Sequence, residues 1–331
     1  MNDRNRDKNH LYSFDFLKVF FIILIILHHS KLFADDSLYM VVEAFFLISG
    51  YFLYVSLRKR YDNPIVYTMR RIHSLYPKYV AAFGLLFVGR LIGGGGIESQ
   101  KIPSLFLELL MIQNIGLPYS GGINYPMWYI SVLIVGGLIV YLILWLLRKK
   151  VSENQICIIS IVIGIGLYCV LFCNDIGTIE QWKNIGYVFY PPLIRGIADL
   201  LFGCSIAIFT ERKKPNNNFI PVILLTVLVV GMLYRANDYV IAVLSYAVVF
   251  SSAKYPLSLL SRIGKSKVSG ALIKHEYSMY LNHALVIYAF IYLKLFEKTG
   301  RLAGAVLIVL AVIAFAIIFD KVLDGIMRMR K

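Results

Sequence analysis

Residues 14–33 read FDFLKVFFIILIILHHSKLF, an apolar run long enough for one helix to cross a bilayer. Four side chains do not suit that setting: Asp15, Lys18, His28 and His29. A charge at the bilayer centre costs on the order of 3 kcal/mol or more, so ionisable groups within a span face a cavity or a partner. Helical geometry sorts the four. Lys18 and His29 are 11 residues apart, about three turns plus 20°, which sets them on one stripe about 16 Å apart along the axis. Asp15 falls near the same stripe, whereas His28 points about 100° away.

The rest of the chain is built for the same solvent. Of 331 residues, 59% are hydrophobic and 16% charged, and the mean hydropathy is +0.70. These values exclude a soluble domain of this size and leave an all-α fold, a polytopic helical bundle formed by residues 1–331 as a single domain. About ten crossings are expected, near 14–33, 38–57, 74–92, 127–147, 155–173, 191–210, 219–235, 239–253, 277–294 and 303–323. The short segment 104–117 holds Glu108, Gln113 and Asn114, so it reads as an outer-side or re-entrant piece.

A formal net charge of +15 would direct a soluble protein to nucleic acid. Here Lys and Arg gather between spans, at 4–8, 58–60, 70–78, 148–150, 212–214, 254–274 and 321–331, and outnumber those on the other side roughly three to one. That bias places both termini in the cytoplasm, and no nucleic-acid partner is expected. The first apolar run lacks a small-residue cleavage site, so it reads as a retained helix of an inner (plasma) membrane protein. The inner segment 254–276 mixes Leu with Lys, as a helix lying on the lipid headgroups would. Cys157, Cys169, Cys173 and Cys204 lie in apolar runs without a CxxC pair or a His set at ligand spacing, so neither disulfide nor metal is expected.

Depth along the spans selects a reactive pair. Glu43 falls about five residues into the second, oppositely running span, which gives it the depth of His29 at about 1.5 Å per residue. A carboxylate that holds an imidazole's tautomer and stabilises the imidazolium makes a general base, so His29 and Glu43 are the catalytic candidates. Ser49 and Gly50 follow, small residues that allow two helices to approach.

Lys18 and His29 with ten residues between them, Phe45-Phe46-x-x-Ser49-Gly50 preceded by Glu43, and a basic stretch with Arg70 and Arg71 ending in Tyr76-Pro77 form a pattern. Weaker echoes follow in Trp128-Tyr129, in Arg195 with Gly203, and in Tyr280 with His283. From about residue 12 to 323 the chain resembles the membrane-bound acyltransferase 3 family, which includes bacterial enzymes that O-acetylate surface polysaccharides. Lys18 stands where many members carry Arg, and an ammonium grips phosphate with less geometric definition than a guanidinium.

The resemblance implies transfer of an acetyl group from cytoplasmic acetyl-CoA to a hydroxyl of an outward-facing glycan or lipid-linked glycan, with membrane lipids as the surroundings and no permanently bound cofactor. Lys18, Arg70, Arg71, Arg195 and His283 are the donor-binding candidates. Arg195, with Asp199 four residues on, suits either a buried ion pair or a group that stabilises an oxyanion. His283 suits either contact with CoA or a bond to another helix. His29 then either deprotonates the sugar hydroxyl or carries the acetyl transiently.

Other signals lead nowhere. RIGKSKVS at 262–269 lacks the first glycine of a phosphate loop, position 259 being Leu259. GGGG at 93–96 has no fingerprint spacing, and no GxSxG elbow occurs. Buried His, Glu, Arg and Lys also suit a proton-coupled secondary transporter, the alternative reading, although the paired halves and broken helices common in that class are not visible.

Overall fold

A computed structural model describes residues 10–32, 37–92, 102–113, 115–117, 122–181, 190–210 and 217–329. The described chain is helical, with no strand among the described residues. In order, α1 is Tyr12–Ser30, α2 Val41–Arg60, α3 Pro64–Ile92, α4 Ile102–Leu109, α5 Trp128–Leu147, α6 Glu153–Asn174 and α7 Pro191–Thr210. The second half holds α8 Ile220–Leu233, α9 Asp238–Lys254, α10 Leu259–Gly264, α11 Lys267–Leu272, α12 Glu276–Tyr292, α13 Leu295–Thr299 and α14 Arg301–Met329.

Among the described residues, seven helical segments are long and apolar enough to cross a membrane: α1, α2 with the 3-10 turn Leu38–Met40 before it, α3, α5 with Tyr125–Met127 before it, α6, α7 and α14. The chain is therefore an all-α polytopic membrane bundle. Helices α8, α9 and α12 occupy three further expected spans, with 14, 17 and 17 residues, shorter than the roughly 20 of a full straight crossing. Helix α4, with eight residues, is too short to cross. The segment 254–276 is a string of short helices, α10 and α11 with the 3-10 turn Ile273–His275. The basic clusters at 4–8 and 212–214, the GGGG at 93–96 and Asn114 lie outside the described residues.

The third span differs from its expected start. Helix α3 begins at Pro64 and runs through Pro77 as one 29-residue element. Proline at a helix start has its φ already set and lacks only an N–H that would go unpaired. Pro77 removes the donor that the carbonyl of His73 would meet, a cost one internal proline can impose without ending a long helix. The extension places Arg70 and Arg71 on rigid helix rather than in a loop.

Lipid offers helices no hydrophobic incentive to associate, so tight packing of small residues does that work. The centre is the α2/α7 pair. In α7 78% of the spanning window is buried and in the α2 segment 67%, against 22% in α3 and 28% in α6. A Cβ on Gly50 would collide with the backbone of Leu200, and one on Gly203 with the Leu47 carbonyl. The two glycines face each other across this contact, and the Cys204 thiol lies 3.3 Å from the Gly50 carbonyl.

The non-crossing α4 and the residues after it have a structural task. Glu108 accepts from the backbone N–H groups of Ile123 and Asn124 at 3.0 and 3.3 Å. Gln113 donates to the Tyr79 hydroxyl and the Met127 carbonyl, both at 3.0 Å. Asn124 donates to the Leu281 carbonyl at 3.0 Å. Irregular backbone survives at membrane depth only where protein groups satisfy it. These bonds set the approach to α5, and with it Tyr125, against α12.

Candidate active site

His29 lies in the last turn of α1, which Lys31 ends by turning into the left-handed region, φ 52°. Its ring stacks on that of His283 in α12, centroids 5.2 Å apart and planes 16° from parallel. Tyr125 meets it edge-on at 4.9 Å, and His28 lies 5.0 Å away. His283 is fully buried. Its Nδ1 is 2.5 Å from the Tyr280 carbonyl, and because a carbonyl only accepts, Nδ1 carries the hydrogen. In a neutral ring Nε2 is then a lone pair, and no described group donates to it. The site thus presents an unengaged imidazole nitrogen beside a second imidazole.

The opposite end of the same two helices carries charge. Lys18 Nζ lies 3.9 Å from a Glu276 carboxylate oxygen and 5.6 Å from the Phe52 ring centroid. Eleven residues separate Lys18 from His29 on α1 and seven separate Glu276 from His283 on α12, about 16 and 10 Å of rise. The long Lys18 and Glu276 side chains bridge the difference. Beside them lies a cavity of about 190 Å³, bounded by Lys18, Arg71 and Glu276 at one end and Ser49, Tyr129 and Tyr280 further in. The Ser49 and Tyr129 hydroxyls are 3.3 Å apart. The histidines lie past Tyr280, whose ring is 5.9 Å from that of His283 and whose hydroxyl donates to the Pro126 carbonyl.

The two adjacent arginines part company. Successive helical residues point about 100° apart, and only Arg71 faces the cavity, with one nitrogen donating to the Tyr67 hydroxyl at 3.1 Å. Arg70 is exposed and bonds Asp62 at 2.6 Å, holding that carboxyl below its ordinary range through this hydrogen bond. Arg70 is not among the residues lining the cavity.

The expected pairing of Glu43 with His29 is corrected. The Glu43 carboxylate does not hold His29. It lies 2.9 Å from Arg195 Nε, with both side chains buried, and the Arg195 guanidinium also sits 5.1 Å from the Trp128 ring centroid. Asp199, expected as the partner of Arg195, instead accepts from the Tyr168 hydroxyl at 2.7 Å. Arg195 is thus a buried ion-pair member in the α2/α7 contact, away from the cavity at Lys18. Equal depth says nothing about direction around the helix. Glu43 precedes Gly50 by seven residues, two turns less about 20°, so both face α7; that spacing was the available signal.

His283 stands with His29 rather than with the charged end. Sequence reasoning also missed Glu276, which lines the cavity opposite Lys18. Four residues, a little over one turn, separate Glu276 from Tyr280, a spacing that puts both on one face. Among the described residues no group of His, Cys, Asp and Glu is arranged to hold a metal ion.

The site is thus a membrane bundle with two stacked histidines beyond a cavity edged by Lys18 and Arg71. The model of the acyltransferase 3 family, described as an acyltransferase domain, matches residues 11–321. The chain belongs to that family and is a membrane acyltransferase. No curated protein and no solved structure matches it.

Proposed function

We propose that the chain is an O-acetyltransferase that moves an acetyl group from cytoplasmic acetyl-CoA to a hydroxyl of a cell-envelope glycan. The observation that carries this reading is the His29–His283 stack, with a free Nε2 on His283, on the same two helices as the Lys18 end. Lys18 and Arg71 attract the phosphates of CoA, the guanidinium offering a bidentate grip and the ammonium a point charge. The pantetheine arm occupies the cavity between Arg71 and Tyr280 and brings the thioester towards His29.

His29 takes the proton from the acceptor hydroxyl as its oxygen bonds to the thioester carbonyl carbon. The tetrahedral intermediate then collapses with cleavage of the carbon–sulfur bond, and the imidazolium returns its proton to the departing thiolate. His283, fixed by the Tyr280 carbonyl, holds the ring of His29 parallel to its own. In this orientation the Lys18 end faces the cytoplasm and the His29 end faces outward, as the distribution of basic clusters favours.

The test uses purified protein in detergent with acetyl-CoA labelled in the acetyl group. Wild type should bind the donor and turn it over, and His29→Ala should keep binding and lose turnover. A folded wild type that does not bind acetyl-CoA would overturn the donor assignment.

A further inference from the structure

In the segment that leads into α5, one side chain departs from its neighbours. Ile123, Asn124, Pro126 and Met127 are buried, whereas Tyr125 is 43% exposed. A single exposed aromatic is ordinary on a protein surface. This one is held in place from both sides. Glu108 accepts from the N–H groups of Ile123 and Asn124, the Asn124 amide donates to the Leu281 carbonyl, and the Tyr280 hydroxyl donates to the Pro126 carbonyl. Two of these bonds run to α12, the helix that carries His283, so the backbone under Tyr125 is fixed relative to the histidines.

The ring so fixed stands 4.9 Å from that of His29, with the planes at 89°. Of the rings described against His29, His283 is fully buried, His28 half-buried and Tyr125 exposed. A molecule that reaches His29 from outside the bundle therefore meets Tyr125. Tyrosines of a membrane interface anchor a protein by lying among lipid headgroups; Tyr125 instead touches the candidate base. From Tyr125 the chain crosses to Leu147 and the basic residues 148–150, so Tyr125 belongs to the end opposite the donor cations.

A pyranose has an apolar face of axial C–H bonds, and its hydroxyls point outward around the rim. Aromatic rings are rigid, flat surfaces that bury such a face without leaving a polar group unpaired. We propose that Tyr125 is the platform on which the acceptor sugar stacks, its C–H face against the phenol ring and one rim hydroxyl turned to His29. The inference rests on the acetyltransferase reading and adds to it the contact that positions the acceptor. A flat contact of this kind selects a cyclic sugar over an open-chain polyol, which has no continuous C–H face.

The experiment uses the full chain in lipid nanodiscs, acetyl-CoA labelled in the acetyl group, and as acceptor probes the octyl β-glycosides of glucose, galactose, mannose and N-acetylglucosamine, with an octyl ether of glucitol as the open-chain control. Wild type should transfer label to at least one glycoside with a lower KM than for the glucitol ether. Tyr125→Leu, which keeps apolar bulk without a ring, should raise the acceptor KM about three- to tenfold, the usual worth of one aromatic contact, and leave the KM for acetyl-CoA in place. Tyr125→Phe restores a ring and should recover most of that loss. Equal KM for glycoside and glucitol ether in wild type overturns the proposal without any variant. So does an unchanged acceptor KM in Tyr125→Leu, including the case in which that variant only hydrolyses acetyl-CoA faster, which would make Tyr125 a shield against water. Wild type that binds acetyl-CoA and acetylates none of the glycosides overturns the stacked sugar alone, whereas failure to bind acetyl-CoA overturns the donor assignment beneath it.

Discussion

Two of the groups of ionisable side chains described inside this bundle are built on opposite plans. Between α1 and α12 the polar groups are spread along a lane, with Lys18 and Glu276 3.9 Å apart at one end, two stacked rings at the other and a cavity beside the charged end. Between α2 and α7, Glu43 and Arg195 are closed on each other at 2.9 Å and are 0% and 2% exposed. The first arrangement leaves groups free to meet a reagent. The second uses them to join helices whose backbones already touch at Gly50 and Gly203. A buried charge in a membrane is thus no indicator of chemistry until its partner is known.

The sharpest way to break this contrast is to remove one member of each group. His29→Ala should reduce acetyl-CoA turnover by about 10²–10⁴-fold, the usual worth of a general base, while leaving the melting temperature near wild type. Glu43→Ala should do the reverse. It removes the ion-pair partner 2.9 Å from Arg195, and breaking a buried pair costs up to about 3–5 kcal/mol, read as a lower melting temperature and yield in detergent. A Glu43→Ala protein that melts like wild type but is inactive would place Glu43 in the chemistry and dissolve the distinction.

A finer comparison sets Arg71 against Arg70. Arg71→Ala should raise KM for acetyl-CoA about tenfold, one charge-assisted contact of about 1.5 kcal/mol, whereas Arg70→Ala should leave KM near wild type. Steady-state kinetics at fixed ionic strength checks both, and equal effects would refute the division. The smallest effect belongs to Tyr168→Phe, which removes the 2.7 Å bond to Asp199. It should destabilise the bundle by about 0.6 kcal/mol, the mean for such bonds in membrane proteins, measurable by reversible unfolding in mixed micelles.

Several of these features were readable in the chain. The membrane class, the non-crossing α4 and the Lys18–His29 stripe follow from apolar run length and an 11-residue spacing. The close approach at Gly50 was readable from residue size. The start of α3 was not, because residues 64–73 carry Arg70, Arg71 and His73, and an apolar run ends where charge begins. The neighbours of Glu43, His283 and Arg70 were not readable for one reason: position along a span gives depth, whereas contact depends also on the direction each helix face points.

What residues near one another in the chain control was therefore fixed before folding: which segments leave water, and which side chains share a stripe of one helix. Helix periodicity and transfer free energy act locally, and both are carried by residue type. The choice of His283 rather than Glu43 as neighbour of His29 came from packing. Once Gly50 and Gly203 bring α2 and α7 together, Glu43 is committed to Arg195, and α12 presents its histidine to α1. Rotation about a helix axis is settled by all the neighbours at once, and no single span carries that information.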